Sequence, residues 1–182
     1  MVSSPPIPNI VSPVDTPFGS VVNGTAGADM LIGYSIVNSI FGLGGNDTIT
    51  AVVHGDTIDG GADNDTLTGA PGGSNTVTTF IGGTGNDRMV GGFAASTYVI
   101  NRGDGIDTIL DDHTGYGVAN KLVFGANIVA ADLEFSRTGD DLIIMIKDAL
   151  NTAATDQVTI EKWFTPRGGF QLDQLTFVTE LC

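Results

Sequence analysis

A single apolar side chain recurs every nine residues, two places after an acidic or polar one. The pairs run Asp29 and Leu31, Asn38 and Ile40, Asp47 and Ile49, Asp56 and Ile58, Asp65 and Leu67. Four extra residues enter at Ala70 to Gly73. The register then resumes with Thr78 and Phe80, Asp87 and Met89, Ser96 and Tyr98, and two further residues lead to Asp107 and Ile109. Threonines flank the apolar positions at Thr48, Thr50, Thr57, Thr66, Thr68, Thr79, Thr97 and Thr108. One inward residue between two outward polar ones is a short strand. The glycine-rich stretch before each is a turn that uses positive φ and close backbone approach. Two such units make an 18-residue coil, and coils stack as parallel strands about 4.8 Å apart. The pattern predicts an all-β fold over 23–112, a parallel β-roll whose core is one column of side chains per sheet.

The flanks read differently. Residues 1–22 hold Pro5, Pro6, Pro8, Pro13 and Pro17, which remove backbone donors and favour extended chain. We read them as an arm or linker. After about residue 113 glycine thins out. Lys121–Phe124, Leu133–Ser136, Leu142–Lys147, Gln157–Ile160 and Gln171–Val178 carry strand signals, with Thr138–Asp141 as a hairpin turn. This makes 113–182 a β-rich cap, with residues 161–164 a strand end or one helical turn.

Charge narrows the chemistry. The chain has 21 acidic and 7 basic residues, a formal net charge of −14, yet 41% of its residues are hydrophobic. That is enough for a core, which sets it apart from a disordered acidic segment. So acidic a surface has no electrostatic basis for binding nucleic acid or an anionic membrane, and no apolar run is long enough to span one. Multivalent cations are the natural counter-charge. Cys182 is the only cysteine, so neither a disulfide nor a thiolate metal site is available within the chain. Residues 1–22 lack the basic and apolar regions of a cleavable secretory signal.

Within 23–112 lie 19 of the 26 glycines and 11 acidic residues against Arg88 and Arg102. Turn carbonyls without ladder partners and a stack of carboxylates suit a hard cation that takes 6–8 oxygens, which is calcium. Magnesium, with its stricter octahedron and tightly held waters, should substitute poorly. Asp29, Asp47, Asp65, Asp87 and Asp107 fall on one edge of the roll, eighteen or slightly more residues apart. Asn38 and Asp56 fall on the other, followed by Thr78 and Ser96. Up to four sites are expected on the first edge and at most one on the second, between Asn38 and Asp56. Candidate carbonyl donors are Gly24, Gly27, Gly42, Gly45, Asn46, Gly60, Asn64, Gly82, Gly85 and Asn86. Without the ion the carboxylates repel, so folding and binding should be coupled.

These turns resemble the repeats-in-toxin (RTX), or haemolysin-type, calcium-binding family. The best copies are Gly42-Leu-Gly-Gly-Asn-Asp47-Thr-Ile49, Gly60-Gly-Ala-Asp-Asn-Asp65-Thr-Leu67 and Gly82-Gly-Thr-Gly-Asn-Asp87-Arg-Met89. Residues 97–182 are similar to a segment that often follows such repeats, through Thr97–Ile109, Leu133–Ile144 and Val158–Phe164. The resemblance implies a calcium-triggered β-roll that folds outside the cell after type I secretion, with an uncleaved C-terminal signal. The chain departs from the family pattern at Asn38, Thr78 and Ser96, and where His54 and Asp63 replace a turn glycine.

No catalytic constellation competes with this reading. His54 and His113 are isolated, Asp140-Asp141 reads as turn, Trp163-Phe164 as core, and the Asn-x-Thr triplets at Asn23, Asn46 and Asn64 overlap the repeats. The expectation is a secreted or cell-surface, non-enzymatic calcium-binding module. The alternatives are a self-assembling fibre, surface-layer or adhesin subunit, and an accessory module of a larger secreted enzyme. The first coil is unusually apolar outside, with Met30, Ile32, Ile36, Val37 and Phe41, and should be covered by the N-terminal arm. Covering in trans would make arm and first coil a self-association surface.

Overall fold

The computed structural model describes residues 9–11 (backbone only), 20–34, 38–53, 55–71, 76–111, 119–148, 156–165 and 172–178. His54, His113, Cys182 and most of the arm lie outside them. The architecture is a parallel β-roll of two facing sheets. The first sheet takes β1 (Asn9–Val11), β3 (Asp29–Ile32), β5 (Thr48–Thr50), β7 (Thr66–Thr68), β9 (Arg88–Val90) and β11 (Ile106–Leu110). The second takes β2 (Ser20–Asn23), β4 (Asn38–Phe41), β6 (Thr57–Ala62), β8 (Thr78–Thr84), β10 (Ser96–Ile100) and β12 (Asn120–Phe124). The chain alternates between them, one strand per half-coil.

The ladders repeat the sequence period. Leu31 pairs with Ile49, Ile49 with Leu67, and Ile40 with Ile58. Across the Ala70–Gly73 insertion Leu67 still meets Met89 and Ile58 meets Phe80, so the extra residues leave the stack unbroken. Leu31, Ile40, Ile49, Ile58, Leu67, Phe80, Met89, Tyr98 and Ile109, the inward column expected from spacing, are all 0% exposed. Phe80 and Tyr98 stack at 5.1 Å between centroids. Threonines fit the outer face because a β-branched residue packs well on a pleated, half-exposed surface.

One expectation changes. The proline-rich stretch is not simply an arm: β1 pairs with β3 and β2 with β4, so Asn9–Val11 and Ser20–Asn23 add one more strand to each sheet, in cis. Pro8, Pro13 and Pro17 flank these strands rather than interrupt them, so no ladder donor is lost. The C-terminal region is the β-rich cap expected, and its strands continue the roll. It prolongs both sheets through β13 (Leu133–Thr138), β14 (Asp141–Ile146), β15 (Asp156–Ile160) and β16 (Leu172–Phe177). β15 adds parallel to β11 and β16 parallel to β12, while the β13–β14 hairpin adds antiparallel outside β15. Each of the five strands expected there is present. Glu161–Phe164 is a hydrogen-bonded turn rather than a further strand.

Some turns carry strain. Gly61 and Gly83, second in their motifs, have φ of 104° and 98°, and Leu43 holds the same place at 78° with a half-exposed side chain. An L-residue there costs about 1–2 kcal/mol. Leu43→Gly should therefore stabilise the folded roll by about 1 kcal/mol, read as a higher thermal midpoint. An unchanged or lower midpoint would mean that the neighbouring coils offset the strain. Asp63, at φ 75°, gains less from the same change, because its Oδ2 accepts the Gly45 N–H at 3.2 Å.

Candidate metal centre

The first-edge turns place Asp29, Asp47, Asp65, Asp87 and Asp107 in one column, each 2% exposed or less. Their carboxylates point along the stack. Oδ1 of Asp47 accepts the Asp29 N–H at 2.7 Å, Asp65 that of Asp47 at 2.7 Å, Asp87 that of Asp65 at 2.8 Å and Asp107 that of Asp87 at 3.0 Å. One oxygen of each thus ties its coil to the one before.

The other oxygen faces the turn. Oδ2 of Asp47, Asp65 and Asp87 is buried without a hydrogen-bond partner. Each lies where a Cβ on the first turn glycine would be, at Gly42, Gly60 and Gly82. The next coil's glycine carbonyl leans on the same spot, that of Gly60 against Gly42 and that of Gly82 against Gly60. A buried anionic oxygen and an outward carbonyl therefore converge in a cradle that only glycine leaves open. An orphan carboxylate oxygen costs several kcal/mol unless a charge answers it. An oxygen-seeking cation fits this donor set, with backbone and solvent completing its shell. Among the described residues no three carboxylate, imidazole or thiol groups surround one point. A cation held there would draw on turn carbonyls beside the carboxylate rather than on an acidic cluster.

The four stations differ. At the first, Gly24 sits beside Asp29 Oδ2 and the Gly42 carbonyl, but the Thr25 hydroxyl and N–H both donate to that oxygen, the hydroxyl at 2.9 Å. Thr25 stands where Gly61 and Gly83 stand later, and it answers part of the charge itself. The Asp47 and Asp65 stations are complete. At the fourth, the three atoms nearest a Gly82 Cβ all belong to Asp87, and no carbonyl of the next coil is among them. The two extra residues before Asp107 alter that turn. There Asp104 bonds the Asn101 N–H at 2.7 Å, and Asp156, from outside the repeats, bonds the Gly103 N–H at 2.8 Å.

A second ladder escaped the sequence reading. Besides the backbone carbonyls expected of them, Asn46, Asn64 and Asn86 have side chains whose Oδ1 accepts the N–H of the next coil's Asn64, Asn86 and Ile106 at 3.0, 2.7 and 3.0 Å. Gly27 and Gly45 lie on the same turns, Gly45 with φ of 89°, as does Gly85 at 148°.

The second edge is mostly neutral. Asn38 donates its N–H and its amide to Asp56 Oδ1 at 2.7 and 3.1 Å, and the Ser20 hydroxyl donates to Asn38 Oδ1. The amide thus occupies the place of a second carboxylate. Thr78 and Ser96 follow in the column, and the Ser96 N–H bonds Asn120 Oδ1 at 2.8 Å. Burial raises the carboxyls of the charged edge, Asp47 to about 6, Asp65 to about 7 and Asp107 to about 7, with neighbouring aspartates adding to the effect. Unfolded, these groups titrate near 3.8. Between that value and about 7 the metal-free fold holds more protons than the unfolded chain, so its stability falls as pH rises. In chelator, the β signal should be larger at pH 5 than at pH 8. The opposite trend would show that the column is not desolvated as described.

No family model matches the chain, and no curated protein matches it. Among solved structures it is similar to the extracellular lipase LipA from Serratia marcescens, at 15% identity and a TM-score of 0.38. That likeness covers 91% of this chain and 41% of the lipase, so the chain spans about two fifths of that protein's length. Among the described residues no helix is long and apolar enough to cross a membrane.

Proposed function

We propose that this protein is a non-enzymatic calcium-binding β-roll of the RTX type, whose repeats fold when they meet calcium outside the cell. The observation that carries this reading is the repeated cradle at Gly42, Gly60 and Gly82, where a buried, unanswered aspartate oxygen meets an open glycine. The Asp47 and Asp65 stations bind best, the Asp29 and Asp87 stations less well, and the Asn38/Asp56 pair of the second edge least. Calcium here is structural. It neutralises the column and ties successive turns together. Sites made of few carboxylates and several carbonyls belong to the weak class of extracellular modules, which fill at about 10⁻⁴–10⁻³ M calcium. A cytosolic chain would stay unfilled and export-competent, and would fold after type I secretion. The role as an accessory module of a larger secreted enzyme is compatible with the same sites.

The test is an equilibrium calcium titration with calorimetry. Two to four ions should bind per chain, with magnesium at equal concentration displacing few of them. Absence of binding at ten millimolar calcium, or equal binding of magnesium, would overturn the proposal.

A further inference from the structure

Two departures from the repeat meet on the second edge. Of the nine inward residues from Leu31 to Ile109, Tyr98 alone carries a hydroxyl. Two places after each inward residue of the first sheet a second-edge turn begins, at Gly33, Ala51, Gly69, Gly91 and Asp111. Asp111 alone of these is charged. Both exceptions are buried, Tyr98 at 0% and Asp111 at 1% exposure. They belong to neighbouring coils and they touch: the Tyr98 hydroxyl donates to Asp111 Oδ2 at 2.9 Å.

Their meeting point is the glycine place of a turn. The Gly91 N–H donates to the Leu110 carbonyl at 2.9 Å, which sets Asp111 beside Gly91 in the next coil. A Cβ on Gly91 would lie 2.5 Å from the Tyr98 hydroxyl oxygen and 2.8 Å from Asp111 Oδ1. On the charged edge the same place, at Gly42 and Gly60, is approached by the turn's own aspartate and by a carbonyl of the next coil. In the Gly91–Ser96 turn the aspartate place is held by Ser96, so the turn has no carboxylate of its own. The next coil supplies one through Asp111, and the hydrogen that answers it is carried by the protein, on the phenol. One coil earlier nothing comparable is found: the three atoms nearest a Gly69 Cβ belong to the Gly92 backbone and the Phe80 ring.

The phenol is well placed for this. Stacking on Phe80 at 5.1 Å between centroids fixes the ring between the sheets. Burial, and then the charge of Asp111, push the Tyr98 hydroxyl well above its ordinary range, so it keeps its proton at neutral pH. A hydrogen bond to a charged group is among the stronger ones, and a buried carboxylate deprived of it bears its full desolvation cost. Resting on the calcium reading of the first edge, we propose that Tyr98 and Asp111 form a metal-free lock. The phenol does for this junction what a cation does at the Gly42 and Gly60 cradles, so β10 and β11 keep their structure when calcium is withdrawn.

The experiment is amide exchange of the full chain in excess chelator, with calcium binding measured separately by calorimetry. In the wild type, β10 and β11 should stay protected while β3 to β7 exchange. Tyr98→Phe keeps the ring and removes only the hydroxyl. It should speed exchange of β10 and β11 in chelator about tenfold or more, the equivalent of one hydrogen bond to a charged group, with calcium stoichiometry unchanged. In an Asp111→Asn background the same change should cost clearly less, because no buried charge then loses its donor. An equal cost in both backgrounds overturns the proposal. So does a wild type in which β10 and β11 lose protection together with β3 to β7, a result that needs no variant to fold. In either case calcium binding by the wild type leaves the metal reading standing, whereas absence of binding overturns both.

Discussion

In excess chelator at neutral pH the repeat region should lose most of its β structure, and millimolar calcium should restore it. Asp47, Asp65, Asp87 and Asp107 are buried to 2% exposure or less and stacked one above another. Three of them keep a carboxylate oxygen without any partner. Burying ionised groups unpaired costs several kcal/mol each, and a whole domain has only about 5–15 kcal/mol to lose. The core between β3 and β9 cannot offset this, because each short strand there buries one large side chain. The region around β11 to β16 is better supplied. Phe124, Ile144, Ile146, Val158 and Ile160 join the core there, and Arg88 reaches across to Glu161 with two bonds of 2.9 and 3.0 Å. Amide exchange in chelator should therefore retain protection in β14 and β15 and lose it in β3 to β7. Circular dichroism and exchange together test this. A full β signal in chelator, unchanged by calcium, would remove the basis for the metal.

The second large effect is local. Asp47→Ala should abolish binding at its own cradle and weaken the neighbouring one, whereas Ser96→Ala should leave calcium stoichiometry unchanged. Asp47 supplies the orphan oxygen beside Gly42, accepts the Asp29 N–H, and donates its own N–H to Asp65. Its loss removes a ligand and leaves a buried donor unanswered on the coil before. A site filled to a hundred times its dissociation constant contributes about 2.7 kcal/mol, and the unanswered donor adds about 1–3 kcal/mol. The thermal midpoint in calcium should fall by about ten to twenty degrees for Asp47→Ala and by a few degrees at most for Ser96→Ala. Equal effects from both would refute the charged and neutral edges as functionally distinct.

The spacing of nine made the roll legible, because one inward residue per strand forces a single register. Each apolar residue taken from that spacing is fully buried, and the first-edge aspartates stack in the expected order. Other features left weaker traces. Prolines around Asn9–Val11 and Ser20–Asn23 masked two strands whose residues carry no turn glycine, although Ser20 already lies eighteen before Asn38. The insertion of β15 between β11 and the β13–β14 hairpin could not be read, since strand order depends on which edges meet in space. Thr25 replaces a motif glycine, and its capping role needs the geometry of Asp29 to be seen. Leu43 gives no signal in the sequence, because its neighbours keep the motif. The asparagine ladder was visible as a column at Asn46, Asn64 and Asn86.

The two ladders of the first edge run in opposite senses: aspartates reach back to the preceding coil, asparagines forward to the following one. Each of the three junctions from Asp47 to Asp107 is therefore specified by one residue from each side, and Asn46 and Asp47 lie within a single eighteen-residue unit. A block such as 42–59 carries both ladder residues of the first edge, Asn46 and Asp47. Duplication of that block in a gene would lengthen the protein without asking any other position to change. Length in such a chain is open to selection in whole steps, and a designer could set it in the same way.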